Sequence, residues 1–193
     1  MKCLGIAASP RAKGNTTTLL KEALSGAKAA GAKIELVDLR KLNYSGCIAC
    51  GGCHEKGFCV VQDDLQNVYT RILEADRIII AAPIYFMDIN AQAKALIDRG
   101  QCFWAKKVLL KQPIITDSDS RSPRKGFFIS TCGSKVPSAF QCAEKVVKHY
   151  FDFIEAEYLK GYFYHDVDAA EDIHTKPEAL AEIYRAGYKL ISS

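Results

Sequence analysis

The sequence predicts an α/β protein in which five parallel strands lie between two layers of helices. Apolar runs alternate with helical patterns along the chain, and this alternation is typical of a parallel sheet covered on both faces. The first, third and fourth runs are continuously apolar, whereas the second and fifth carry acidic residues. Charged strands are suited to sheet edges, so the predicted strand order is 2-1-3-4-5. The predicted strands are residues 3–8, 33–39, 77–82, 125–130 and 154–158.

Helical patterns follow each of the first four predicted strands and also end the chain. We expect the first helix to end near Gly31, a residue type favoured just beyond a helix C-terminus. The third helix should run from about Ala91 through Asp98, and the pattern leaves open whether it continues past Trp104. The pattern Ser138-x-x-Gln141 is a capping box and should open the fourth helix.

Length, charge and cysteine content restrict the class of protein. The chain of 193 residues suits one domain spanning 1–193. Its net charge of +4 shows no dense basic stripe, so no nucleic-acid partner is predicted. It shows no leader and no apolar run of bilayer length, so we expect no membrane partner and a cytoplasmic location. The eight cysteines should be reduced thiols or metal ligands. The polar residues 116–124 predict a mobile loop.

A polar segment at residues 9–18, the phosphate loop, joins the first predicted strand to the first helix. Free N–H groups at the helix start and the helix dipole favour an anion there. The loop lacks both G-x-G-x-x-G and G-x-x-x-x-G-K-[ST], so a single terminal phosphate, as in FMN, suits it best. The alternative is that Asn15 or Thr16 only caps the helix. The candidate phosphate-binding residues are Ser9, Arg11, Asn15, Thr16 and Thr17.

The loop after the third predicted strand is unusually apolar. The predicted strand order brings this loop and the phosphate loop to one crevice, at the carboxyl ends of strands one and three. The apolar loop could form a wall for a flat heteroaromatic ring. Alternatively, it packs under the following helix or forms an oligomer contact. The candidate wall residues are Pro83, Ile84, Tyr85, Phe86 and Met87.

Both loops resemble those of the NAD(P)H-dependent FMN reductases. Ser9-Pro10-Arg11 followed by Asn15-Thr16-Thr17 is similar to the FMN-phosphate loop of that family. Residues 82–86 and 91–99 are similar to its isoalloxazine loop and the helix that follows. The resemblance covers most of the chain up to about residue 150.

The resemblance implies a flavodoxin-like three-layer sandwich that binds FMN. The five polar residues of the phosphate loop would hold the phosphate, and residues 83–87 would line the isoalloxazine ring. Thr131 and Gly133 would come near the ring from a third segment. The resemblance also implies NADH or NADPH as electron donor. A homo-oligomer, a dimer or a tetramer, is implied because family members place FMN near a subunit interface.

Four cysteines form a second motif, Cys47-x2-Cys50-x2-Cys53-x5-Cys59, which we name the cysteine loop (residues 47–59). Soft thiolates at this spacing select iron–sulfur clusters or Zn²⁺. The spacing resembles that of the iron–sulfur flavoproteins, a flavodoxin-like branch that holds a 4Fe–4S cluster near FMN. Three interpretations remain open: a cluster, a bare or redox-active thiol loop, and structural zinc.

These features predict an FMN-dependent oxidoreductase that passes electrons from reduced nicotinamide to a small acceptor. Hydride transfer to a flavin needs no acid or base from the protein, so no catalytic side chain is nominated. A second hypothesis is an electron relay, in which FMN and a 4Fe–4S cluster carry single electrons from a ferredoxin-like partner. A third is a flavodoxin-like interaction domain without catalytic activity.

Overall fold

The computed structural model describes residues 1–116 and 122–192, and it confirms the predicted α/β architecture. Five strands form a parallel sheet in the order β2-β1-β3-β6-β7, which is 2-1-3-4-5 when only these strands are counted. Strands β4 and β5 pair separately as an antiparallel hairpin. The strands are β1 Lys2–Ala7, β2 Lys33–Asp38, β3 Arg77–Ala81, β4 Ile84–Tyr85, β5 Asp88–Ile89, β6 Lys125–Thr131 and β7 Glu157–Tyr164.

Seven α-helices are described around this sheet. They are α1 Asn15–Ala29, α2 Cys53–Lys56, α3 Leu65–Glu74, α4 Ala91–Arg99, α5 Gln101–Trp104, α6 Gln141–Phe153 and α7 Pro177–Ser192. A π-helical segment, Ala105–Leu109, continues α5. The predicted end of α1 is confirmed, because Gly31 follows the helix with a φ of +93°. Of the predicted mobile loop at residues 116–124, positions 117–121 lie outside the described residues.

The core lies on both faces of the sheet, as a three-layer sandwich requires. Alternate residues of β3 show the arrangement: Ile78 and Ile80 belong to one buried cluster, and Ile79 and Ala81 to the other. Side chains of α3, α4 and α6 cover the first face, and those of α1 and α7 cover the second. Burial of this apolar surface is the main stabilising contribution to the fold. It fixes the carboxyl ends of β1, β3 and β6 beside one another.

The predicted start of the fifth parallel strand is wrong. The strand begins at Glu157, because residues 154–156 turn the chain out of α6. Glu155 has a φ of +52°, and its carboxylate accepts hydrogen bonds from the Ile114 and Ile115 N–H groups at 3.3 and 3.1 Å. The alternation of apolar and acidic residues here therefore reflects a connecting turn.

The predicted third helix is confirmed from Ala91 through Asp98, and the helical segments that follow are separate from it. It ends at Arg99, and the Gly100 N–H donates to the Ile97 carbonyl at 2.9 Å, which tightens the last turn. The capping box at Ser138 is also wrong. The main-chain carbonyl of Ser138 accepts from the Gln141 N–H at 3.1 Å, and α6 begins without a side-chain cap.

Across residues 1–116 and 122–192, no helix combines the length and the apolar character that crossing a bilayer requires.

Candidate flavin and cysteine sites

The phosphate loop leads directly into the N-terminus of α1. Gly14 precedes the helix in an extended conformation, and no side chain caps the helix. The suggestion that Asn15 or Thr16 serves only as a cap is therefore wrong. The first intrahelical bond runs from the Thr18 N–H to the Gly14 carbonyl at 3.0 Å. The main-chain N–H groups of residues 15–17 point out of the N-terminal end of the helix, where they can donate hydrogen bonds to an anion.

Thr16 supplies the strongest sign of a ligand at this helix start. Its side chain is buried, and among the described residues its hydroxyl has no hydrogen-bond partner. Burying a hydroxyl without a hydrogen-bond partner costs free energy. A ligand atom that pairs with it is therefore expected beside it. A Cβ at Gly14 would lie 2.0 Å from the Ser9 hydroxyl oxygen, so only glycine lets the loop close over Ser9. This tight cradle of buried donors fits a phosphate group.

Asn15 and Arg11 have additional roles in the structure. The Asn15 side chain donates to the Ala169 carbonyl at 2.8 Å and accepts from the Ile173 N–H at 3.2 Å. The Arg11 guanidinium donates to the Asp168 carbonyl. Both side chains thus fasten the segment after β7 to the phosphate loop. Their contact with phosphate stays a prediction, and for Asn15 the main-chain N–H is the group best placed to make it.

Three segments surround one cavity at the carboxyl ends of the strands. Of the predicted residues, Thr17, Phe86 and Met87 lie away from this cavity, and Thr17 lines a neighbouring cleft. Cys132, Val167 and Asp168 also line the cavity, and sequence reasoning did not select them. The predicted residues that line it are Ser9, Arg11, Asn15, Thr16, Pro83, Ile84, Tyr85, Thr131 and Gly133.

The apolar loop forms the hairpin of β4 and β5, which we name the apolar hairpin (residues 84–89). Its two turn residues, Phe86 and Met87, have φ values of +49° and +66°. Such values cost roughly 1–3 kcal/mol for a residue that is not glycine, and strain of this kind clusters at functional sites. Phe86 is fully exposed, so this side chain does not pack under the following helix. Contact between the hairpin and an isoalloxazine ring stays a prediction.

Asn90 connects the two loops of the crevice. It is buried between β5 and α4, and its amide donates to the Ala8 carbonyl and to the Gln92 side chain, both at 2.6 Å. The start of α4 is therefore attached to the end of β1. The sequence signal for this residue was available, because asparagine is common just before a helix.

Cys132 adds a thiol to the third segment of the cavity. Its sulfur lies 3.2 Å from the Ser134 carbonyl and 3.7 Å from His165 Nδ1. Burial raises the pKa of this thiol, so it is held in the neutral form. His165 Nδ1 also lies 2.9 Å from the Ser134 carbonyl, and that carbonyl holds both side chains in place.

The four cysteines of the cysteine loop line a second cavity of about 210 Å³. Burial is the main cause of the raised pKa of Cys53, and the neighbouring sulfurs of Cys47, Cys59 and Cys50 raise it further. The four sulfurs are therefore close enough to interact, and an all-sulfur donor set fits a soft metal centre. Within residues 1–116 and 122–192, however, no three Cys, His, Asp or Glu side chains are grouped closely enough to hold a metal ion.

Arg99, at the end of α4, holds the cysteine loop in place. Its Nε donates to the Cys59 sulfur at 3.2 Å. One terminal nitrogen donates to the Ser45 carbonyl at 3.1 Å and to the Asp63 carboxylate at 2.7 Å. The other donates to the Val61 carbonyl at 3.3 Å and to the second Asp63 oxygen at 3.2 Å. One side chain thus joins both flanks of the loop to one of its sulfurs.

The Arg99–Asp63 ion pair is shielded from water. The Arg99 side chain is 1% exposed and that of Asp63 is 14% exposed. Burial acts to raise the pKa of Asp63, but the hydrogen bonds and charge of Arg99, together with hydrogen bonds from the Leu65 and Ser45 main chain, hold that pKa below its usual range. Cys102 lines the same cavity, and burial together with the nearby Cys59 raises its pKa to about 12. Sequence reasoning assigned no role to Arg99 at this loop and none to Cys102.

The sheet order and the anion cradle at its switch point define a flavodoxin-like protein. The family model for NADPH-dependent FMN reductase matches residues 1–166. The chain belongs to this family.

Two curated relatives and one solved structure illustrate the similarity. The chain is 41% identical over 101 residues to an iron–sulfur flavoprotein of Methanocaldococcus jannaschii, covering 52% of each chain. It is 38% identical over 114 residues to an iron–sulfur flavoprotein of Methanosarcina thermophila, covering 59% of this chain and 60% of that one. The chain therefore spans about half the length of these relatives.

The solved structure is an NAD(P)H:quinone oxidoreductase from Methanothermobacter marburgensis. It superposes with a TM-score of 0.75 at 17% sequence identity and covers 98% of this chain and 96% of that one. At this level of identity the similarity shows the fold.

Proposed function

We propose that the protein is an FMN-dependent oxidoreductase that passes electrons from NADPH or NADH to a small acceptor. The buried Thr16 hydroxyl at the N-terminus of α1, which has no partner among the residues that the structure describes, is the observation that carries this proposal. It supports a bound phosphate at the point where flavodoxin-like sheets bind their ligands. Membership of the NADPH-dependent FMN reductase family supports the flavin and the nicotinamide donor.

The residues of the crevice have distinct roles in this proposal. FMN, when bound, supplies the capacity to accept hydride and to release electrons. The first-turn N–H groups of α1 and the hydroxyls of Ser9 and Thr16 hold its phosphate. The apolar hairpin and the 131–133 segment border the ring and keep water from one side of it. Hydride transfer requires no acid or base here, so the protein acts by binding and orientation.

An anaerobic reduction assay tests the proposal. The purified protein, loaded with FMN, is mixed with NADPH or NADH while the visible absorption of the flavin is recorded. We expect the flavin absorption to disappear with at least one of the two nucleotides. A flavin that stays oxidised with both would contradict the nicotinamide part, and failure to retain FMN would favour a non-catalytic domain.

A second candidate function is an electron relay through FMN and a 4Fe–4S cluster. The four cysteine sulfurs that line one cavity support it, and so does the similarity to proteins named iron–sulfur flavoproteins. Iron and acid-labile sulfide are measured after anaerobic purification. About four of each per chain would support the relay, because a 4Fe–4S cluster uses four thiolates. Zinc would make the loop structural. Reduction by a ferredoxin but not by NAD(P)H would also favour the relay.

We further propose that the protein works as a homo-oligomer, a dimer or a tetramer, in the cytoplasm. The exposed side chains of Tyr85, Phe86 and Met87 on the apolar hairpin support the assembly, since exposed apolar patches mark interfaces. All eight cysteines are free, which suits a reducing compartment. Light scattering on the FMN-loaded protein should give a dimer or tetramer mass, and a monomer mass would contradict this.

A further inference from the structure

We propose that Arg99 is a positioning residue for a soft-metal site at the cysteine loop, and that its Nε–H group orients the Cys59 sulfur as a ligand. Apart from Asp63, every group that Arg99 contacts is either the Cys59 sulfur or a main-chain carbonyl next to the loop. The inference rests on the proposed function only in taking the four cysteines as metal ligands.

The geometry separates this role from ordinary loop packing. A guanidinium presents its N–H groups in a fixed fork, and Arg99 uses that fork on four different groups. Its Nε is aimed at the Cys59 sulfur at 3.2 Å, whereas a residue that only held the backbone would need no donor there. Asp63 accepts from both terminal nitrogens, on the other side of the fork, and the Ser45 and Val61 carbonyls also hold the guanidinium.

The charge balance indicates what this donor does. Arg99 and Asp63 together are neutral, and the guanidinium is almost completely shielded from solvent. A sulfur ligand carries negative charge. A hydrogen bond to it from the buried guanidinium is strong because little water screens the interaction. Groups that hydrogen-bond metal ligands orient them, and their loss typically costs about 10- to 100-fold in metal affinity.

Cadmium titration of the full-length, FMN-loaded, reduced protein tests the inference without any turnover. Cd²⁺ alone is the probe, its binding is followed by sulfur-to-cadmium charge-transfer absorption, and a competing chelator gives the affinity. The main variant combines Arg99→Gln with Asp63→Asn, which removes the ion pair without leaving a buried charge. We expect it to bind Cd²⁺ about 10- to 100-fold more weakly than the parent.

Asp63→Asn alone is the matched control. It loosens the same flank of the loop but leaves the guanidinium facing Cys59, so we expect Cd²⁺ affinity equal to or higher than that of the parent. A purely structural role for the ion pair predicts instead that both variants weaken binding alike. Cd²⁺ affinity that falls equally in Asp63→Asn and in the double variant would overturn the inference. Parent-like Cd²⁺ affinity in the double variant would overturn it as well.

Arg99→Lys decides the outcome if the double variant does not fold, as judged by circular dichroism. Lysine keeps the charge but cannot reach Cys59, Asp63 and the carbonyls together, so we expect a loss of about tenfold. Parent-like affinity would refute the positioning role. A parent protein that binds no Cd²⁺ would also overturn the inference. The flavin-reduction assay would still stand on its own, because it does not involve the cysteines.

Discussion

The phosphate loop and the cysteine loop become ordered in different ways. The phosphate loop joins β1 to α1, two elements packed in the core, and its shape follows from an extended Gly14 and a helix start. The cysteine loop contains only the single helical turn of α2, and one buried side chain, Arg99, joins its flanks. The first site therefore depends on the sheet topology, whereas the second depends on one long-range contact.

This difference predicts different responses to substitution. Changes in the phosphate loop should affect the ligand more than the fold, because the backbone there is held by the sheet. Changes at the Arg99–Asp63 pair should lower the stability of the fold, and loss of Arg99 should also weaken the cysteine site. Four experiments examine the contrast, from the largest expected effect to the smallest.

Asp63→Asn should lower the free energy of unfolding by about 3 kcal/mol, because breaking a buried ion pair leaves Arg99 without its counter-charge. Asp98→Asn, on the same helix as Arg99, is the control. Its pair with Lys94 is exposed, so about 0.5 kcal/mol or less is expected. Urea unfolding at neutral pH measures both, and equal effects would remove the special status of the buried pair.

The pH dependence gives a second measure of the same pair. Since the folded-state pKa of Asp63 is lowered, its contribution to stability is present above the unfolded value of about 3.9. It is lost as the pH falls through the folded-state pKa. The stability difference between the parent and Asp63→Asn should therefore shrink in acid. A stability difference that grows in acid would contradict a lowered pKa for Asp63.

Thr16→Val should weaken FMN binding about tenfold, which corresponds to about 1.4 kcal/mol for a lost hydrogen bond to a charged group. The stability of the flavin-free protein should stay equal or rise, because the variant removes a buried hydroxyl that has no partner among the described residues. Thr16→Ser keeps the hydroxyl and should bind FMN more tightly than Thr16→Val. Flavin fluorescence quenching measures the affinities, and equal binding by both variants would argue against this phosphate contact.

The apolar hairpin should show a smaller effect, and one of opposite sign. Replacing Phe86 with Asn and Met87 with Gly supplies the residues that suit two positive φ values, so about 1 kcal/mol of added stability is expected. FMN affinity should fall at the same time if these side chains border the ring. Thermal unfolding and flavin titration measure the two effects. Unchanged flavin affinity would limit the hairpin to a surface role.

The strand order could be predicted from the sequence because charge patterns separate edge strands from central ones. The phosphate loop could also be predicted, since its strand, loop and helix start are adjacent in the chain. The hairpin could not be predicted, because Phe86 and Met87 are unusual turn residues. The start of β7 could not be predicted, because Ile154 and Ala156 alternate with acidic residues as the residues of a strand do.

The role of Arg99 could not be predicted for a different reason. It lies 40 positions from Cys59 in the chain, and nothing local to either residue indicates their contact. An arginine in the last turn of a helix also has an ordinary explanation, as a favourable charge near the helix C-terminus. Only the folded arrangement shows that this side chain is turned inward.

Helix α4 sets the spacing between the two sites. Asn90 attaches its start to the end of β1, and Arg99 attaches its last residue to the cysteine loop. Its nine residues form a rod of about 13 Å. An inserted or deleted residue within α4 would swing Arg99 by about 100° around the helix axis, away from Cys59. The length of α4 is therefore set by two contacts at once, and a helix of another length would lose one of them.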